Sequence, residues 1–116
     1  MSVALKSDTV WADVCALDEV PLRGARRIET ARAPIAIFRT GDDKIFALID
    51  RCPHKHGPLS MGLVHGHAVT CPLHAWVIDL ATGEAQGADA GRGCVPPIAV
   101  RVNRGRIELD AAVLRA

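Results

Sequence analysis

Tyrosine is absent from this chain, and its aromatic residues number four in 116 positions, two tryptophans and two phenylalanines. A surface that stacks bases on aromatic rings amid basic residues has little to be made from. No basic block compensates, because 14 Lys and Arg stand against 13 Asp and Glu for a net charge of +1. The composition therefore gives no footprint of nucleic-acid binding, and the scattered arginines read as solvated surface. No apolar run approaches the ~20 residues that cross a bilayer as a helix. The opening stretch MSVALKSDTVWADVCAL has neither the uninterrupted apolar core nor the small-residue cleavage site of a secretory signal. A cytoplasmic location with no membrane partner is the expectation. There is no G-x-G-x-x-G dinucleotide fingerprint, no internal repeat and no helix-period stretch of useful length. With 49% apolar residues the composition is ordinary for a globular protein, and 116 residues suit one domain, spanning 1–116, with a modest core.

Short alternating or apolar runs broken by turn residues predict an all-β fold, a small antiparallel sandwich or barrel. Strands are expected at Val10–Cys15, Arg26–Thr30, Ala36–Arg39 and Ile45–Asp50. Leu17 to Val20, before Pro21, reads as one helical turn, Ala31 to Pro34 as a loop, and Gly41-Asp42-Asp43 as a turn. Ile45, Ala47 and Ile49 alternate with Phe46 and Leu48, so the fourth strand should be covered on both faces. Further strands are expected at His67–Thr70, at Trp76–Leu80 with Trp76, Ile78 and Leu80 on one face, and at Glu84–Gln86 after a Thr82-Gly83 turn. Gly87 to Pro97, rich in Gly, Ala and Pro, reads as a loop. Ile98, Val100 and Val102, then Asn103-Arg104-Gly105, then Ile107 and Leu109 form the clearest hairpin pattern.

The stretch CPHKHGPLSMGLVHGHAVTCPLHAW, residues 52–76, carries the chemistry. It holds two mixed clutches, Cys52-Pro53-His54 and Cys71-Pro72-Leu73-His74, with sixteen residues between His54 and Cys71. Each clutch offers one thiolate and one imidazole. Two thiolates on one iron and two imidazoles on the other make a [2Fe–2S] centre of the Rieske type. Each iron then draws on both clutches, and ligands two or three positions apart let each tight loop reach both metals. Pro53 and Pro72 stiffen the turn after each cysteine, and Gly57-Pro58 closes the first loop. A structural zinc site uses the same four residue types, but in its usual order a cysteine pair precedes a histidine pair. Cys15 and Cys94, far from the clutches, read as packing residues without a disulfide between them. His65 and His67 about Gly66 read as a surface turn and not a second metal site. His56 reads as a solvated loop residue, and Lys55 as positive charge near the clutches.

These clutches, their spacing and the flanking short strands resemble the Rieske domain family over nearly the whole chain. Within it, CPHKHGPLSMG, VTCPLHAWVIDLATGEAQGAD and the Gly- and Pro-rich loop before the last hairpin are similar to the small subunits of assimilatory NAD(P)H-dependent nitrite reductases. The resemblance implies two cluster-binding loops at one end of the fold, at about residues 50–60 and 70–77, with Cys52, His54, Cys71 and His74 as ligands. It implies a one-electron carrier that is not catalytic alone. Its partner would be a large subunit carrying FAD, a [4Fe–4S] cluster and sirohaem, which reduces nitrite to ammonia. A free-standing ferredoxin of an oxygenase system is the alternative, and a structural or regulatory module with zinc or no metal the third. Pro53, Leu59, Leu73 and Trp76 are expected as an apolar docking rim, with Leu59 and Trp76 packed beneath the loops as the alternative. The high-potential members of respiratory complexes place a disulfide where this chain has Gly57 and Leu73, and a serine where it has Trp76. Without those groups, the midpoint is expected in the lower part of the range of about −150 to +300 mV, which a redox titration checks.

Overall fold

The computed structural model describes residues 10–30, 33–53, 57–73 and 75–114. Its strands in chain order are β1 (Trp11–Ala16), β2 (Gly24–Ile28), β3 (Ile35–Arg39), β4 (Ile45–Ile49), β5 (Leu63–His65), β6 (Ala68–Thr70), β7 (Val77–Asp79), β8 (Ala85–Gln86), β9 (Val100–Asn103) and β10 (Arg106–Asp110). Short 3₁₀ turns occupy Leu17–Glu19, Leu59–Met61, Gly87–Asp89 and Ala111–Leu114. All strand pairing is antiparallel, and three sheets result, ordered β2-β3-β4, β1-β10-β9 and β5-β6-β7-β8. The expected all-β class is the observed one.

The β2-β3-β4 sheet lies between the other two, and its sequence explains why. β3 reads IAIFR, and its first four side chains are all buried. Strand alternation then splits them between two faces. Ile35 and Ile37, with Ala47 from β4, join Cys15, Ile98, Ile107 and Leu109 in one core. Ala36 and Phe38, with Leu48, join Leu59, Val69, Trp76, Ile78 and Leu80 in the other. The two-sided cover expected for β4 is thus present. Trp76, Ile78 and Leu80 share one buried face as expected.

The last hairpin closes where Asn103 pairs with Arg106. Arg104 and Gly105 between them have φ of 53° and 77°, the paired positive values of a type I′ turn that suits strand twist. β1 carries an irregularity between Asp13 and Cys15 where it pairs with β10, so its boundaries shift one residue from those expected. β2 begins and ends two residues earlier than expected, and β5, a strand the sequence did not announce, pairs with β6. The Gly87–Pro97 segment is a loop with one 3₁₀ turn, tied back by bridges from Cys94 to Glu84 and from Pro97 to Leu48.

Candidate metal centre

β4 and β6 each deliver the chain to one of the two cysteines. After β4, the Asp50 N–H donates to the Pro34 carbonyl at 2.9 Å, and the chain turns. The Cys52 N–H then donates to the Gly57 carbonyl at 2.8 Å. After β6, the Cys71 N–H donates to the Trp76 carbonyl at 2.7 Å, and Ala75 donates back to the Cys71 carbonyl at 3.1 Å. Both loops therefore close by the same bond, from a cysteine N–H to the carbonyl five residues on. Ala75 sits at φ 58°, a left-handed conformation that costs an alanine roughly 1–2 kcal/mol and that this closure holds in place.

The two loops touch. A Cβ placed on Gly57 would lie 2.6 Å from Leu73 Cδ1 and 3.5 Å from Cys71 Sγ. Only a residue without a side chain lets the first loop press this closely on the second. A side chain on the residue that accepts the Cys52 bond would thus meet the other thiol. Cys52 and Cys71 are 1% and 2% exposed, neither is in a disulfide, and both are part of the same apolar core. Two buried thiols in sibling loops that meet are a fitting half of a thiolate and imidazole donor set. His54 and His74, the other two expected ligands, lie outside the described residues, as do Lys55 and His56. Among the described residues no group of three or more His, Cys, Asp or Glu could hold a metal ion.

A third segment completes the site. A Cβ on Gly93 would lie 3.0 Å from Pro53 Cβ and 3.4 Å from Trp76 Cζ3, so residue 93 packs where the two loops join. Ala85 N–H to Gly93 carbonyl at 3.1 Å and Val95 N–H to Gly83 carbonyl at 2.7 Å pin this segment to the sheet. Beside it opens a cavity of about 560 Å³ lined by Arg51, Cys52, Pro53, Cys94, Val95 and Pro97, among others.

Several expectations need correction. Leu59 and Trp76 are 0% and 7% exposed and pack beneath the loops, so they form no rim. Leu73, half exposed, remains available, and the sequence reading passed over Met61 and Leu63, each more than 70% exposed. Leu63 pairs with Thr70, the residue before Cys71. Cys15 is buried as a packing residue, its thiol pushed up in pKa by burial. Cys94 is exposed and is not one. His65 and His67 do form a surface turn. His65 Nε2 meets Thr70 Oγ1 at 2.7 Å, and His67 Nε2 meets Asp42 Oδ2 at 2.9 Å.

One buried charge went unread in the sequence. The Asp50 side chain is wholly buried, and its carboxylate accepts bonds from the Ser60 N–H (2.7 Å), Ser60 Oγ (2.6 Å) and Arg27 Nη1 (3.0 Å). The available signal was an acidic residue ending an otherwise apolar strand, two positions before a cysteine.

Comparison with known proteins agrees with this geometry. The family model for the Rieske [2Fe-2S] domain matches residues 10–99. The anthranilate 1,2-dioxygenase ferredoxin subunit of Burkholderia cepacia is 35% identical over 100 residues, covering 86% of this chain and 91% of that protein. The ferredoxin CarAc of Metapseudomonas resinovorans is 32% identical, covering 78% and 81%. Among solved structures, a chain from the complex of reduced oxygenase and oxidized ferredoxin in carbazole 1,9a-dioxygenase superposes with TM-score 0.77 at 27% identity, covering 89% of this chain and 94% of that one. A protein assigned as the NADH-dependent nitrite reductase small subunit of Mycobacterium tuberculosis gives TM-score 0.76 at 25% identity, covering 87% and 94%. With the family model spanning most of its length, the chain belongs to the Rieske [2Fe–2S] domain family, the all-β electron carriers of oxidoreductase systems that bind a [2Fe–2S] cluster.

Proposed function

We propose that Cys52 and Cys71 bind one iron of the cluster and His54 and His74 the other, and that the chain is the electron-carrying small subunit of a cytoplasmic NAD(P)H-dependent nitrite reductase. The bound cluster supplies one-electron redox chemistry. The chain's own residues supply the rest. The two buried cysteines keep water from the thiolate side. The loop bonds at Cys52 and Cys71 fix where each thiolate stands. Leu73 presents an apolar contact to a partner at the loop end, where aromatic and aliphatic groups of a docking surface would meet it. FAD, the [4Fe–4S] cluster and sirohaem belong to the large subunit, since this chain has no dinucleotide fingerprint.

The observation that carries the nitrite reductase reading is the Asp79–Gly91 stretch, DLATGEAQGADAG, on which the family likeness rests. It leads straight into Gly93, which packs on Pro53 and Trp76. The stretch on which that likeness rests is thereby continuous with the segment packed on Pro53 and Trp76. A second reading, ferredoxin of an oxygenase system, is favoured by the 35% identity to the anthranilate 1,2-dioxygenase ferredoxin subunit. The test is anaerobic reoxidation of the reduced protein, followed by its visible spectrum. A sirohaem-containing large subunit should be reduced by it rapidly and a ring-hydroxylating oxygenase slowly. The reverse order of rates refutes the nitrite reductase assignment and leaves the ferredoxin reading standing.

A further inference from the structure

We propose that Asp50 is a positioning residue for the first cluster loop: its carboxylate clamps Ser60, on the far side of the loop, and Arg27, on β2 at the other edge of the same sheet, so that Cys52 is held ready for the cluster. This rests on the ligand assignment just made.

Three segments converge on this one carboxylate. Asp50 ends the path from β4, Ser60 lies in the 3₁₀ turn Leu59–Met61 beyond the loop, and Arg27 comes from β2. The residues from Arg51 to Leu59, which include the first clutch, hang between the two clamped ends. The 3₁₀ turn begins at Pro58 with no side-chain cap. The N–H groups of a first helical turn have no partner inside the turn, and Asp50 Oδ1 takes the one on Ser60. Oδ2 takes the Ser60 hydroxyl and one guanidinium N–H. Arg27 is 41% exposed and also holds Glu29 at 2.7 Å, so its head group reaches water while one arm reaches inward.

A wholly buried carboxylate is a poor way to gain stability. Its desolvation is offset only when donors saturate it, and an apolar side chain of similar volume often does as well. What three donors from two other segments do provide is geometry. The carboxylate has one low-energy position relative to β2, β4 and the 3₁₀ turn, and the loop inherits it. The second loop is closed by bonds between its own residues, from Cys71 to Trp76 and from Ala75 to Cys71.

The experiment measures cluster release from the purified, cluster-loaded protein in excess iron chelator, by decay of visible absorbance, alongside the melting temperature of each variant. Asp50→Asn leaves at least one donor facing an NH₂ group, and should release its cluster about tenfold faster or more, the factor expected for losing a hydrogen bond to a charged acceptor. Ser60→Ala should release it about fivefold faster, and Ser60→Thr, which keeps both donors, at close to the parent rate. Asp13→Ala is the control. It breaks the bidentate pair with Arg106 on the opposite sheet and should change release by less than about twofold. Release that merely follows the fall in melting temperature across all four variants, or that is unchanged in Asp50→Asn and Ser60→Ala, overturns the clamp. Should Asp50→Asn fail to fold, the Ser60→Ala and Ser60→Thr pair decides the matter. A parent protein that takes up no cluster refutes the ligand assignment itself, a result distinct from loss of the clamp alone.

Discussion

Toward one face, β3 and β4 send Ile35, Ile37 and Ala47 against strands of four to six residues; toward the other they send Ala36, Phe38 and Leu48 against strands of two or three. On the first side, the ladder between β1, β10 and β9 orders the chain without help, and the core contains only apolar side chains and one cysteine, Cys15. On the second, regular pairing stops short of the loops that matter. Individual bonds take over there: Cys52 to Gly57, Cys71 to Trp76, and Ser60 to Asp50. The same central sheet thus supports a scaffold behind it and the two cysteine loops in front of it. The difference is how much of the backbone is left for single contacts to fix.

The comparison breaks most sharply at the cysteines. Replacing Cys52 or Cys71 by alanine should abolish cluster binding, leaving a colourless protein with the parent's β-sheet circular dichroism. Cys15→Ala, equally buried behind the sheet, should keep its full iron content. Iron analysis and visible absorption distinguish the two sides. Phe38→Ala in front and Ile107→Ala behind should each cost about 2–5 kcal/mol in denaturant unfolding. The front mutation alone should also speed cluster release beyond what its stability loss explains, since Phe38 shares its core with Cys52 and Cys71.

Two glycines at the same φ, 77°, sharpen the contrast further. An alanine Cβ at Gly83 would lie 1.8 Å from the Val95 carbonyl oxygen, whereas at Gly105 it would meet nothing within 4 Å. Gly105→Ala should cost about 1–2 kcal/mol, the conformational term alone. Gly83→Ala should cost more, because the backbone must move, and should loosen the segment that packs Gly93 on Pro53 and Trp76. Paired melting curves test this. The smallest effect belongs to Asp42, whose carboxyl the Thr40 hydroxyl, and then the His67 ring, hold below the usual carboxylate range. A depressed folded-state pKa gives stability that is present above the unfolded value of about 3.9 and is lost as pH falls through the folded one. Asp42→Asn should therefore lower stability slightly at neutral pH, leave it unchanged in strong acid, and so flatten the acid limb of the stability curve.

Legibility in the sequence followed the same division. The IAIFR run, the alternation of Ile45 to Ile49 and the Arg104-Gly105 hairpin announced themselves because long strands carry a readable period and a I′ turn has its own residues. β5 did not, because three residues with one buried side chain, Val64, show no period. β2 slid by two positions because its exposed arginines at 26 and 27 mark no boundary. Cys52 and Cys71 stood out by spacing, and both lie buried in one core. The Asp50 and Ser60 bond links residues ten apart through a turn, and Leu59 and Trp76 turn inward by tertiary packing; neither is written in local pattern. Cys94 was misread for the opposite reason. A cysteine in an apolar segment suits a core, yet the turn at Gly91 and Arg92 and the pairing with Glu84 leave it facing outward.

Electron paramagnetic resonance of the purified protein before and after reduction, with iron and acid-labile sulfide counted on the same sample, tests the central claim most directly. Two irons and two sulfides per chain, silent when oxidised and paramagnetic after one electron, are the result expected of a Rieske centre held by two thiolates and two imidazoles. A colourless, zinc-loaded or metal-free protein with no signal in either state would contradict it.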